Sequence, residues 1–437
     1  MQPRPDLLFR FMAPSDIMGR QDDSLGQGAT HACESGKSGL SMKGFTSLAL
    51  VLAVCAALLS GCAATPASGP SEAGGGPVAS QGTSSPMLEN CAIARDADYG
   101  NICLDVTIER FNSLGFAYGD SVDVAFSNGY ELKGIPYYNG YYARVGELLL
   151  VGYPGYSHIE VVLNYGDSLW EAAGLSENDT ATVRLAEAGA YRTIQESLNI
   201  SYSDDRSDYA SDEQFGNFRP LEGGSLQDGV AYRSASPIAN MQGRAPYVER
   251  LMEGVGIAYD LDLSDDADDV ARFVQESQGQ GVDLSYFKGL ESAGAVGKLG
   301  LNVSYQSAAF AQKLSSGLID MSQHEGPYLI HCIEGKDRTG FVCALLEALC
   351  GASYEEIVAD YMITYENYYG ITKESAPDSY NAIAGLNIDG MLAFLAGVDD
   401  STADLRTLSY EEPARNYLKA ASMSDEQINA LAARLTQ

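Results

Sequence analysis

Basic residues are scarce. The 437-residue chain sets 27 lysines and arginines against 59 aspartates and glutamates, a formal charge of -32. Such a surface repels polyanions, which excludes nucleic acid as a general partner and weighs against a phosphoinositide-covered membrane. Long apolar runs are also missing. The apolar run from Phe45 to Leu59 falls short of the ~20 residues that cross a bilayer. The eight cysteines, at 33, 55, 62, 91, 103, 332, 343 and 350, show neither zinc spacing nor the density of a disulfide framework. No metal and no other cofactor is therefore expected. What remains is 45% hydrophobic and 20% charged, the composition of folded protein, at a length that suits two domains.

Residues 1–41 are polar and without periodicity, so no core is expected there, and they read as a non-native or disordered extension. Met42-Lys43 followed by Phe45 to Leu59 has the charged start and apolar middle of a secretory signal, which places the true start at Met42. The run closes on Leu59-Ser60-Gly61-Cys62. This resembles the lipobox of bacterial lipoproteins, in which the cysteine is lipidated and becomes the first mature residue. The resemblance implies a signal peptide over 42–62, a membrane anchor at Cys62 and a location outside the cytoplasm. Residues 63–90, rich in Ala, Ser, Gly and Pro, read as a flexible tether.

Residues 91–196 read as a small antiparallel β domain. Short runs such as Val122 to Phe126, Glu147 to Val151 and Ile159 to Leu163 are separated by turn signals. Asn128-Gly129 and Asn139-Gly140 suit two-residue hairpin turns, and Tyr165-Gly166-Asp167 is a further turn. The many tyrosines, among them Tyr138, Tyr142 and Tyr156, serve strand packing or a ligand surface. Cys91 and Cys103 flank the start of this region and could pair in an oxidising compartment. No catalytic constellation falls here.

Residues 197–437 mix strands and helices, which predicts an α/β domain. An acidic segment, 197–213, leads into it as a linker. Strands are expected at Ala231-Tyr232-Arg233, Ile257 to Leu263 and Tyr328 to Ile330, with helices over Arg244 to Met252, Ser304 to Ser322 and Phe341 to Leu349. Gly351 suits a helix end, and Ser353 with Glu356 and Ser424 with Gln427 have capping-box spacing. Cys343 and Cys350 share a helical face and read as core.

The chemistry concentrates in His331-Cys332-Ile333-Glu334-Gly335-Lys336-Asp337-Arg338-Thr339-Gly340, between an apolar strand and an apolar helix. Only a thiolate attacks, so the surroundings of Cys332 must favour the charged sulfur. The helix N-terminus, Lys336 and Arg338 supply positive charge, and a helix start near Thr339 is expected. Gly335 and Gly340 allow curvature that turns backbone N–H groups of Ile333, Glu334 and their neighbours inward around a tetrahedral anion. Arg338 grips two phosphoryl oxygens through its planar fork, and Lys336 adds a point charge. Thr339 can hydrogen-bond the sulfur as it leaves.

This loop is the signature of the cysteine-dependent protein tyrosine phosphatase superfamily. Its fuller form resembles a bacterial branch that also acts on phosphoinositides. Asn217-Phe218-Arg219, Tyr232-Arg233-Ser234, Asp260-Leu261 and Asp360-Tyr361-Met362 look like further landmarks of that branch, so the resemblance covers about 212 to the end. It implies a phosphatase-like central sheet flanked by helices, and Asp337 as general acid. The acidic run at Asp262, Asp265 and Asp266 could instead supply a mobile-loop acid. Asp262 stands where the branch has arginine, which removes a cation. His331 orients the cysteine or packs at the strand end. Arg219, Arg233 and Arg244 widen the positive pocket or make structural ion pairs.

The function expected is phosphomonoester hydrolysis through a phosphocysteine, on a phosphorylated protein or a small phosphomonoester, without metal. Inositol phosphates or phosphoinositides are the alternative substrates. A rhodanese-like sulfur transferase is a further enzyme class, disfavoured by the Gly335 to Gly340 run. A surface module that recognises phosphate without turnover is the non-enzymatic reading.

Overall fold

The β domain read over 91–196 closes on itself. A computed structural model describes residues 85–97, 99–144, 146–164, 168–400 and 402–437. The extension, the signal with Cys62, most of the tether and the Tyr165-Gly166-Asp167 turn lie outside them. The first unit is a closed barrel in the order β1-β2-β6-β5-β4-β3-β7. Its strands are β1 (Met87–Arg95), β2 (Ile102–Leu104), β3 (Ser121–Phe126), β4 (Glu131–Tyr138), β5 (Leu148–Val151), β6 (Ile159–Leu163) and β7 (Thr180–Glu187). Closure leaves no unpaired edge. Strand β1 begins within the stretch read as tether.

Two turn expectations need correction. Asn128-Gly129 does join β3 to β4, but only Gly129 has positive φ (92°), and Phe126 N–H donates to Tyr130 O across a three-residue loop. Asn139-Gly140 makes no hairpin, because β4 and β5 are parallel and need a longer connection. The other barrel pairs are antiparallel.

The pleat also decides the cysteine question. Cys91 and Ile93 point into the barrel with Ile102 and Leu104. Cys103 lies between these last two on β2, so it faces the other side of the wall. Neither cysteine is in a disulfide. Two thiols on opposite faces of one sheet cannot meet without unpairing strands.

A short helix, Arg192–Leu198, leaves the barrel and packs against the helix Pro377–Leu386. Leu198 is part of the catalytic unit's apolar core, and Ile194 and Tyr142 pack on its margin. Arg144 reaches across from the β4–β5 loop, donating from Nη2 to Gly385 O at 2.9 Å and pairing with Asp400.

The second unit is built on a five-stranded sheet of order β11-β10-β12-β9-β8. These are β8 (Arg219–Pro220), β9 (Ala231–Ser234), β10 (Tyr259–Asp262), β11 (Val296–Lys298) and β12 (Tyr328–His331). All pairs are parallel except β8 on β9. Strand β12 is central and wholly buried, which explains its unbroken apolar run. The mixed α/β expectation is met at this level.

Helix Ala308–Ser322 buries Phe310, Leu314, Leu318 and Met321 on one face, as their spacing predicts. Helix Asp337–Leu349 is buried nearly all round, so its sequence is apolar on every face. Both capping boxes form, at Ser353 with Glu356 and at Ser424 with Gln427. Among the described residues no helix is long and apolar enough to cross a membrane.

Candidate active site

Strand β12 delivers Cys332 to the carboxyl edge of the parallel sheet, where such sheets hold their ligands. The next helix begins at Asp337, two residues earlier than the sequence suggested, so Arg338 and Thr339 lie in its first turn. Five residues, Cys332 to Lys336, make the turn between strand and helix. Gly335 sits at φ 67°, and a β-carbon there would meet the Ser234 carbonyl oxygen at 2.2 Å. The loop is thus pressed onto the end of β9, and only glycine fits. Gly340 has a different task from the one expected. It lies inside the helix, where a β-carbon would strike the Tyr361 ring at 2.5 Å, so it permits close helix packing rather than loop curvature.

The loop is held from behind. Asn217 Nδ2 and Arg233 Nη2 both donate to Gly335 O at 3.1 Å. Arg233 and Arg219 converge on one carboxylate, Asp360, with Arg219 Nε at 3.0 Å from Oδ1 and Arg233 Nη1 on Oδ2. Burial would raise the Asp360 pKa, but the two guanidiniums more than offset it and hold the group below the usual carboxylate range. Thr364 Oγ1 accepts from Arg219 and from Asn217, each at 3.1 Å. Arg219 and Arg233 are therefore structural ion pairs that brace the loop, and they do not widen a positive pocket. Arg244 is likewise withdrawn. Its guanidinium is buried between the Tyr368 and Tyr202 rings, 4.3 and 4.7 Å from their centroids.

His331 is buried beneath the nucleophile, with Nε2 3.1 Å from Asp260 Oδ1 and 4.0 Å from Asp262 Oδ2. These are charge contacts rather than aligned hydrogen bonds. Burial alone would lower the imidazole pKa; the carboxylates of Asp260 and Asp262 outweigh it and raise it to about 10. An imidazolium thus sits one residue before Cys332, at the strand end. Asp262, which occupies the place of an expected arginine, lies beside His331 in register and caps its own turn by accepting from Ser264 N–H and Asp265 N–H, both at 3.0 Å.

Lys336 does not stand as a spare cation. Its Nζ lies 2.9 Å from Glu334 Oε2 and 4.0 Å from Asp337 Oδ2. Glu334 also accepts from Tyr202 Oη at 2.6 Å, and Tyr368 Oη donates to Glu334 O at 2.7 Å. Burial raises the Glu334 pKa, yet Lys336 and Tyr202 bring it below the usual range. Glu334 and Lys336 therefore neutralise one another inside the loop. The segment read as linker takes part in the site, since the Tyr202 ring packs at a tilt against Tyr368 and edge-on to Tyr369.

The chemistry-facing groups are the remainder. Cys332 is 3% exposed. Arg338 Nη1 donates to Leu301 O at 3.1 Å, which fixes the guanidinium beside the loop. Thr339 Oγ1 is buried without a hydrogen-bond partner. Asp337 opens the helix with its side chain one-quarter exposed. Asp265, from the turn after β10, is buried within electrostatic reach of Arg338. Burial, reinforced by the Asp262 charge, raises its carboxyl to about 8. Away from the loop, burial pushes Cys343 and Cys350 up to about 12, the behaviour of inert core thiols.

Sequence reasoning gave no role to Thr364, Tyr368 or Leu301. The first two carried a signal: Asp360, Thr364 and Tyr368 recur every four residues on helix Tyr354–Tyr369, one polar face turned to the loop. Leu301 acts through its carbonyl, which sequence does not display.

A strand-end cysteine, a glycine-pinned turn and an arginine at the next helix N-terminus form one compact loop. Residues 214–437 match the model of the tyrosine phosphatase family, and the chain belongs to that family. It is similar to a protein of Nostoc commune described as a tyrosine-protein phosphatase, 30% identical over 122 residues, covering 26% of this chain and 41% of that protein. A solved structure, an uncharacterized conserved protein from Thermotoga maritima, is 21% identical over 22% of this chain and 35% of its own, with a TM-score of 0.19. The chain thus covers less than half the length of each.

Proposed function

We propose that this phosphatase hydrolyses phosphomonoesters through a phosphocysteine, with phosphotyrosine in proteins as its foremost substrate, and that it acts outside the cytoplasm. The observation that carries the mechanism is the placement of Cys332 at the end of β12 with Arg338 in the first turn of the following helix. The Cys332 thiolate attacks phosphorus, the ester P–O bond breaks, and an aspartic acid gives its proton to the departing oxygen. Arg338 and the inward N–H groups hold the transferring oxygens. Water then attacks the phosphocysteine, the P–S bond breaks, and the same aspartate takes the proton. Thr339 stabilises the departing sulfur.

Asp337 is the acid in this reading. A second reading rests on one observation: Asp265, near Arg338, keeps its proton to about pH 8, as a general acid must. Inositol phosphates remain the alternative substrates, but the Glu334–Lys336 pair favours esters of lower charge, because it removes the free cation such ligands would use. The extracytoplasmic setting rests on residues 42–62 of the sequence.

The test is Cys332→Ser in the full chain. Phosphate release from a phosphotyrosine peptide should fall on the order of 10⁴-fold or more, while phosphate binding persists; Arg338→Ala should lose both. Full turnover by the serine variant would end the mechanism, and binding without turnover in the unmodified chain would make it a recognition module. Faster turnover of inositol phosphates than of phosphotyrosine peptides would reassign the substrate.

A further inference from the structure

The outer face of the barrel carries a second group of reactive side chains, remote in role from the phosphatase loop. Cys103 lies on β2 directly opposite Glu160 on β6, and His158 precedes Glu160 by two residues, on the same side of the wall. One ligating atom from each lies within 4.8 Å of the other two. Their exposures are 1%, 6% and 7% for Cys103, His158 and Glu160. His158 Nε2 is 3.0 Å from Glu160 Oε1, and Ser157 Oγ is 3.0 Å from His158 Nδ1.

This trio interrupts an apolar surface. The neighbouring outward positions on β5 and β6 are Leu149, Val151 and Val162, packed with tyrosine rings. His158 and Glu160 pair with each other within this apolar face, and Cys103 stands in register beside them. We propose that Cys103, His158 and Glu160 bind a divalent transition metal, with zinc the best match. A thiolate, a neutral imidazole and a carboxylate together carry two negative charges, which a divalent cation cancels, and binding releases the thiol proton to solvent.

Sulfur and nitrogen donors select zinc over magnesium or calcium, which prefer oxygen. The 3.0 Å between the nitrogen and oxygen is a hydrogen-bond separation; a slight spreading would bring both donors to the bond lengths of about 2.0–2.2 Å of one tetrahedral ion. Ser157 on Nδ1 is the outer partner that aims Nε2 at the metal. Three protein donors leave a fourth position for water or a ligand. A thiol 1% exposed is out of reach of most substrates, which argues for an ion rather than a nucleophile. The sites of cysteine-rich zinc domains are legible by spacing; here Cys103 lies more than fifty residues before His158 and Glu160, and only the pairing of β2 with β6 unites them.

The test is cobalt(II) and zinc(II) titration of the full chain after chelator treatment. One equivalent should bind, with a sulfur-to-cobalt charge-transfer band that is lost in Cys103→Ser and kept in Cys332→Ser. His158→Ala and Glu160→Gln should each weaken zinc at least about tenfold, and Ser157→Ala by about tenfold. Phosphatase activity, unchanged in these barrel variants, reports that the chain is folded. The absence of a charge-transfer band in the unmodified chain, or its survival in Cys103→Ser, would overturn the site. Should the serine variant fail to fold, zinc affinity unchanged in both His158→Ala and Glu160→Gln would overturn it equally.

Discussion

Asp265 comes to the loop from the turn after β10 and Asp337 from the start of the helix that follows it, and as the proposed acid the two make different predictions. The Asp265 carboxyl, raised to about 8 by burial and the neighbouring Asp262, is neutral below that pH and charged above it. As the acid it would sustain turnover up to about pH 8 and lose it on the alkaline side. With Asp337 as the acid, Asp337→Asn should slow hydrolysis of poorly activated esters on the order of 10²–10³-fold, and activated aryl esters much less. Asp265→Asn should then cost under about tenfold and leave that leaving-group dependence intact. Steady-state rates across substituted phenyl phosphates, at several pH values, separate the two; the reverse pattern moves the role to Asp265. That Cys332 and Arg338 share one loop was legible in the sequence because only six positions separate them. The Glu334–Lys336 pair was equally local but was missed: charge spacing does not say whether a lysine faces a ligand or its own neighbour.

At the scale of elements, the loop owes its shape to partners from β8, β9 and helix Tyr354–Tyr369. Asp360 is the joint between Arg219 and Arg233. Asp360→Asn leaves two buried guanidiniums without their counter-charge, and the expected cost is about 3–5 kcal/mol, read from urea denaturation. Turnover should fall with it, because Arg233 also holds the Gly335 carbonyl. These pairings were not legible, since Arg219 and Arg233 meet Asp360 only when the sheet and a distant helix assemble. Periodicity did reveal some helices, Ala308–Ser322 among them, and the apolar run revealed β12, but Ala267–Gly279 and Pro377–Leu386 were not read. It could not reveal that β4 and β5 run parallel, which is why Asn139-Gly140 looked like a hairpin. Nor could it separate the two faces of β2 that keep Cys91 from Cys103.

At the scale of the molecule, barrel and catalytic unit share apolar packing through Leu198. Leu198→Ala is expected to cost about 2–3 kcal/mol. Calorimetry should then show the two units melting less cooperatively than in the unmodified chain, with phosphatase turnover at low temperature little changed. Length suits two domains, and the pattern of alternating runs sets a β-rich stretch apart from a mixed one. That pattern did not foretell that the barrel closes, because closure depends on strand order, and alternation is the same in an open sheet.

The grip on the Gly335 carbonyl by Asn217 and Arg233 also sets an order in time. Those donors lie more than a hundred residues upstream of the loop, and their counter-charge comes from a helix that follows it. Contacts so distant in sequence form late, after the chain has paid for closing long loops. On dilution from denaturant, helical signal should return first and turnover last, with a lag between far-ultraviolet ellipticity and phosphate release. Simultaneous recovery of both would mean that the loop acquires its working shape before its braces arrive.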